Sequence, residues 1–109
     1  MSRADQRLDG IDAALARIRE LLPDDYEAWL GDIACQLAVE RLWVLVGNTA
    51  ERYRTGAGIP SGQDPWAELY DLRCVLAHQE PAERDPDRVW ADSRRDLGRV
   101  RAEVRAHLE

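Results

Sequence analysis

The chain has 109 residues, 45% of them hydrophobic and 33% charged, a balance that suits one folded, helix-rich domain spanning 1–109. Its net charge is -6 and every one of its 15 basic residues is arginine, which excludes broad nonspecific coating of nucleic acid but not a local arginine-lined cleft. No apolar run approaches the ~20 residues that span a bilayer. Nothing apolar follows the charged start Met1-Ser2-Arg3-Ala4-Asp5, so no secretory signal and a cytoplasmic location are expected.

The first predicted helix runs from about Ala4 to Leu22, with Leu8, Ile11, Leu15, Ile18 and Leu22 at steps of three and four. Pro23-Asp24-Asp25 ends it and supplies an aspartate cap for the next. A second helix is expected from about Tyr26 to Arg54. Leu30, Ile33, Leu37, Val44 and Leu45 form one stripe on it, while Trp29, Val39, Leu42, Trp43 and Val46 spread to other faces. A helix apolar on several sides must be covered on several sides, and this surplus predicts a second subunit. The alternative is that Trp43 and its neighbours fill a wide core.

Thr55 to Gln63, with Gly56, Gly58, Pro60 and Gly62, reads as a surface loop. It lacks the Gly-Lys-Ser/Thr continuation of a phosphate-binding loop. Asp64-Pro65 opens a third helix to about Gln79, with a core edge of Trp66, Leu69, Leu72 and Leu76. Pro81 stops it. Asp85-Pro86 starts a fourth, to about Leu108, with a stripe of Val89, Trp90, Leu97, Val100, Val104 and Leu108. No period-2 strand pattern occurs, so the expected fold is all-α, an up-down four-helix bundle.

Cys35 and Cys74 read as buried thiols acting as small hydrophobes. Their spacing to His78 and His107 matches no usual zinc pattern, and no metal or other cofactor is expected. The most informative stretch is Asp71-Leu72-Arg73-Cys74-Val75-Leu76-Ala77-His78, which sets a permanent cation and a titratable imidazole five residues apart.

The order of signals resembles the HepT-like branch of the HEPN superfamily. The pieces are Val39-Glu40-Arg41-Leu42, Val46-Gly47-Asn48-Thr49-Ala50, a glycine-proline loop, Pro65-Trp66, Leu72-Arg73-x4-His78, and Asp87-Arg88-Val89-Trp90. The resemblance covers the chain from the second helix onward. It implies the toxin of a bacterial toxin–antitoxin pair, a metal-independent ribonuclease. It also implies a homodimer with RNA as substrate and a minimal nucleotidyltransferase as cognate antitoxin. The family's Arg-x4-6-His motif maps onto Arg73 and His78 as catalytic residues in a cleft shared by two subunits. Three positions depart from the pattern. Cys74 stands where a polar residue is usual, Asn48 replaces a frequent glutamate, and Glu80 occupies the place of a modifiable tyrosine.

RNA carries its own nucleophile, the 2′-hydroxyl. Cleavage then needs proton transfer, which His78 can supply, and charge on the phosphorane-like transition state, which a two-pronged Arg73 can supply. On an ideal helix the two differ by roughly 140° in direction, so convergence needs arginine reach, a distorted helix end or the second subunit. His78 falls in the last turn, where the helix dipole favours a cation suited to the acid role. Asp71 lies on the His78 side and reads as a solvent-exposed acid. Arg41, Asn48 and Arg52 are RNA-binding candidates. Arg54, Arg84 and Arg88 could extend the surface, and the simpler account for all these arginines is ion pairing with Glu40, Glu51, Glu83 and Asp87 at helical spacing. Two rival readings are a catalytically weak or inactive helical module that pairs with a nucleotidyltransferase, and nucleotide binding in the dimer cleft.

Overall fold

The structure is a computed structural model and describes residues 2–108. Five α-helices and one 3-10 turn make up its regular elements, with no strand among the described residues. They are α1 (Arg3–Leu21), α2 (Tyr26–Leu30), α3 (Ile33–Gly56), α4 (Trp66–His78), the 3-10 turn Pro81–Glu83, and α5 (Pro86–Ala106). The all-α expectation holds. No helix is long and apolar enough to cross a membrane.

The single helix expected over Tyr26 to Arg54 is two. Gly31 closes α2, and Asp32 leaves helical geometry with φ -127° and ψ 83°. Its carboxylate then accepts the Cys35 N–H at 3.0 Å and starts α3. The starts of α2 and α5 follow the same chemistry, whereas α4 begins after Pro65, which offers no side-chain cap. Asp25 accepts the Ala28 N–H at 2.7 Å, and Asp85 accepts the Arg88 N–H at 3.1 Å.

Side-chain contacts fix the helix directions. Arg7 donates to the Arg52 carbonyl and the Cys35 thiol to the Leu21 carbonyl, so α1 and α3 run antiparallel. Gly47 meets Leu69 and Arg73, and Glu40 meets Gln79, so α3 and α4 are antiparallel too. Asp12 binds Arg101 at 2.8 Å, tying α1 to α5. The helix α3 packs closely on both α1 and α4, and α1 also packs on α5, but α4 and α5 do not come into extended backbone contact.

The core corrects the expected use of the α3 region. Trp29, Val39, Trp43 and Val46, expected to overflow the chain, are all buried within it. The Trp43 indole N–H donates to the buried Ser93 hydroxyl at 2.9 Å, and the Trp29 N–H to the Pro86 carbonyl at 2.9 Å. The surplus lies on the opposite stripe. Ile33 is 61% exposed, Leu37 49%, Leu45 41%, and Leu30 on α2 41%. The inward sides carry Trp29 on α2 and Trp43 on α3, each with far more apolar area to bury than a leucine.

A polar network holds the α3–α4 pair at its lower end. Glu40 and Gln36 are buried on α3. Arg84 grips the Glu40 carboxylate through Nη2 at 2.6 Å and Nε at 3.1 Å, and Gln79 donates to it at 2.7 Å. Arg84 also donates to Gln36 Oε1 at 3.0 Å. This charge pair bridges residues far apart in sequence, not neighbours at helical spacing. Removing one partner leaves the other charge buried and uncompensated. Arg84→Ala is therefore expected to cost about 3 kcal/mol of unfolding free energy. Gly47→Ala should cost about 2–3 kcal/mol, because a Cβ there would sit 2.2 Å from the Arg73 Cβ. Urea titrations of both variants against the parent protein check these figures.

Candidate functional site

Gly47 and Asn48 bring α3 against the middle of α4. Position 47 has no side chain, and the space a Cβ would take is filled by the Arg73 Cβ and, at 2.7 Å, the Leu69 carbonyl oxygen. The backbones approach closely, and the half-buried Arg73 leaves α4 directly beside the next residue of α3. Its Nε donates to Asn48 Oδ1 at 2.6 Å. The guanidinium also lies 6.0 Å from the Tyr70 ring centroid, close enough for cation–π attraction. With Nε held and the group braced, its two Nη groups form the open edge, the edge that grips a phosphate in two places.

His78 ends α4 and is exposed. Its Nδ1 lies 2.9 Å from the Cys74 carbonyl oxygen. A carbonyl only accepts, so Nδ1 carries the hydrogen and Nε2 is the nitrogen free to exchange a proton with a ligand. The sequence expectation that Arg73 and His78 diverge on α4 holds. Arg73 turns to α3, His78 turns back on its own helix, and no hydrogen bond joins them within one chain. Asp71 is exposed and makes no hydrogen bond to His78.

The remaining candidates divide. Arg41 and Arg52 are exposed on the stripe Ile33, Leu37, Arg41, Leu45, Asn48 and Arg52, which descends α3 in steps of three and four. Neither makes an ion pair among the described residues, so both charges are available to a ligand on the side where Arg73 meets Asn48. Arg84 is spent on Glu40, and Arg88 pairs with Asp92 at 3.5 Å. The α5 arginines Arg95, Arg99, Arg101 and Arg105 also face carboxylates. Sequence reading missed that Arg73 is oriented by Asn48. The signal was the Gly47-Asn48 pair, since a glycine on a helix otherwise rich in large apolar residues marks a close crossing.

Cys35 and Cys74 are half-buried free thiols. Burial, helped by the nearby Asp32 charge, pushes the Cys35 thiol above its ordinary value, which fits a thiol packed as a small hydrophobe. Glu80 is exposed, and its backbone N–H donates to the Glu83 carboxylate at 2.7 Å as the 3-10 turn begins. The described residues contain no cluster of three or more side chains able to hold a metal ion.

Comparison of the chain with family models, with curated proteins and with solved structures gives no match.

Because Asn48 braces Arg73, Asn48→Ala is expected to lower stability by about 1.5–3 kcal/mol, the range for a hydrogen bond to a charged group. The exposed His78→Ala should change it by less than about 0.5 kcal/mol. Urea unfolding followed by circular dichroism measures both.

Proposed function

We propose that this chain is a HepT-like ribonuclease toxin of the HEPN superfamily, an up-down helical bundle that works as a homodimer and is held in check by a minimal nucleotidyltransferase. The observation that carries this reading is the Asn48–Arg73 bond of 2.6 Å. It presents the free edge of a guanidinium on the same side of the molecule as the unpaired Arg41 and Arg52. An acidic chain that leaves these cations without carboxylates on one side has a place for a phosphate backbone.

The exposed stripe of Ile33, Leu37 and Leu45 supports the dimer. Two such faces related by a two-fold axis would bury their apolar side chains and set two copies of Arg73 and His78 around one cleft. The two-fold also answers the divergence of the pair, since the histidine serving one arginine comes from either subunit. In the reaction, Nε2 of one His78 takes the 2′-hydroxyl proton as the 2′-oxygen attacks phosphorus. The second His78, protonated, gives a proton to the departing 5′-oxygen. The products are a 2′,3′-cyclic phosphate and a 5′-hydroxyl. Arg73 neutralises the charge that builds on the non-bridging oxygens.

A second reading, a non-catalytic helical module that pairs with a nucleotidyltransferase, draws on the lack of a hydrogen bond between Arg73 and His78 within one chain. The two readings part in one experiment. Incubated with RNA in chelator, the ribonuclease cleaves, and His78→Ala lowers the rate by about 10²-fold or more with the oligomeric state unchanged. Cleavage by the variant at the parent rate rules out the catalytic assignment. Inert parent protein that still co-purifies with a nucleotidyltransferase supports the module. Leu37→Arg together with Leu45→Arg is expected to turn a dimer into a monomer by analytical ultracentrifugation.

A further inference from the structure

A groove separates α4 from α5, on the side of α4 away from Arg73. Two cavities of about 260 Å³ and 130 Å³ lie along it and share Leu72, Val75, Arg88 and Asp92 in their walls. The floor is apolar. Trp43 and Leu69 lie beneath the first cavity, and Leu76 and Val89 beneath the second. Val75 stands in the wall of both with 44% of its surface exposed, although the core lies directly below. At one end Glu68 of α4 and Arg99 of α5 close the groove with paired contacts of 2.9 Å.

The rim is unbalanced in charge. Glu68, Glu83, Asp71, Asp85, Asp92 and Asp96 line the two cavities against Arg88 and Arg95, with Arg99 at the closed end, six carboxylates to three guanidiniums. Asp92 and Asp96 are answered from α5 itself by Arg88, Arg95 and Arg99. Asp71 on the opposite wall has no ion pair among the described residues.

We infer that this groove is a docking site for a basic amphipathic helix of another protein. Apolar side chains at helical spacing would enter the two cavities over Trp43 and Val89, and flanking arginine or lysine side chains would meet Asp71 and the acidic rim. An open apolar floor between α4 and α5 suits the hydrophobic face of a third helix. A second copy of this chain suits it less well. The α3 stripe of one copy set into the groove of the next is a head-to-tail contact, which builds an open chain of molecules instead of a closed dimer. The site does not depend on the ribonuclease reading, since none of Arg73, Asn48 and His78 lines either cavity.

The test uses the full-length protein and a fluorescein-labelled peptide of about five helical turns, leucines at i, i+3, i+4 and i+7 and arginines elsewhere. Controls are a scrambled peptide of the same composition and one with glutamate for arginine. Anisotropy titration is expected to give saturable binding of the first peptide alone. Val75→Arg and Asp71→Arg, both at exposed positions, should each weaken it about tenfold or more, and Leu45→Arg on the far face should leave it unchanged. Equal binding of the scrambled peptide, or full binding by both groove variants, overturns the proposal. A loss of self-association in Val75→Arg, seen by ultracentrifugation, gives the groove to a second copy and overturns it as well.

Discussion

The absence of a side chain at Gly47 governs how this molecule presents its chemistry. A Cβ there would overlap the Arg73 Cβ and press on the Leu69 carbonyl. Without it, α3 and α4 cross at a distance that larger residues would forbid. That contact aligns Asn48 with the Arg73 guanidinium and fixes one of its donors. A mid-helix arginine that would otherwise sweep through solvent has one edge anchored and one edge open. A preorganised cation loses less conformational freedom when it meets an anion, and the close crossing gives this guanidinium that preorganisation.

The crossing is supported from below by the buried Glu40 carboxylate. Arg84 and Gln79 close on it, and Gln36 spans from Arg84 to the Trp29 carbonyl. These bonds tie the α2–α3 junction, the end of α4 and the turn before α5 into one unit. The last turn of α4, where His78 sits, is thereby held from the residue that follows it. Burying such a pair adds little net stability compared with an apolar filling, but it fixes which partners meet.

The helix α4 separates two different surfaces. Towards α3 it offers Arg73, beside an apolar stripe with unpaired arginines. Towards α5 it offers Leu72 and Val75 over an acidic-rimmed groove. One helix thus divides a face with unpaired arginines from a groove with an acidic rim. The overall charge of -6 conceals this division, because Arg88, Arg95, Arg99, Arg101 and Arg105 of α5 meet carboxylates while the arginines of the α3 stripe do not.

The sequence by itself determined the helical class, the caps at Asp25 and Asp85, the apolar stripes of α1 and α5, and the placing of His78 in a final helical turn. These depend on residues near one another in the chain, where spacing and capping chemistry are local. It also carried the Gly31-Asp32 break, a helix stop followed by a cap, which the surrounding apolar residues masked. Which side of α3 faces inward was decided only in three dimensions. Both stripes are hydrophobic, and the inward one carries Trp43, whose N–H finds the Ser93 hydroxyl fifty residues away. The partners of Arg73 and Arg84 were likewise hidden, because Asn48 and Glu40 lie on another helix and no periodicity links them. Local spacing specifies an element and the residues it can offer; only packing between elements decides which of those residues are buried, paired or left open to a ligand.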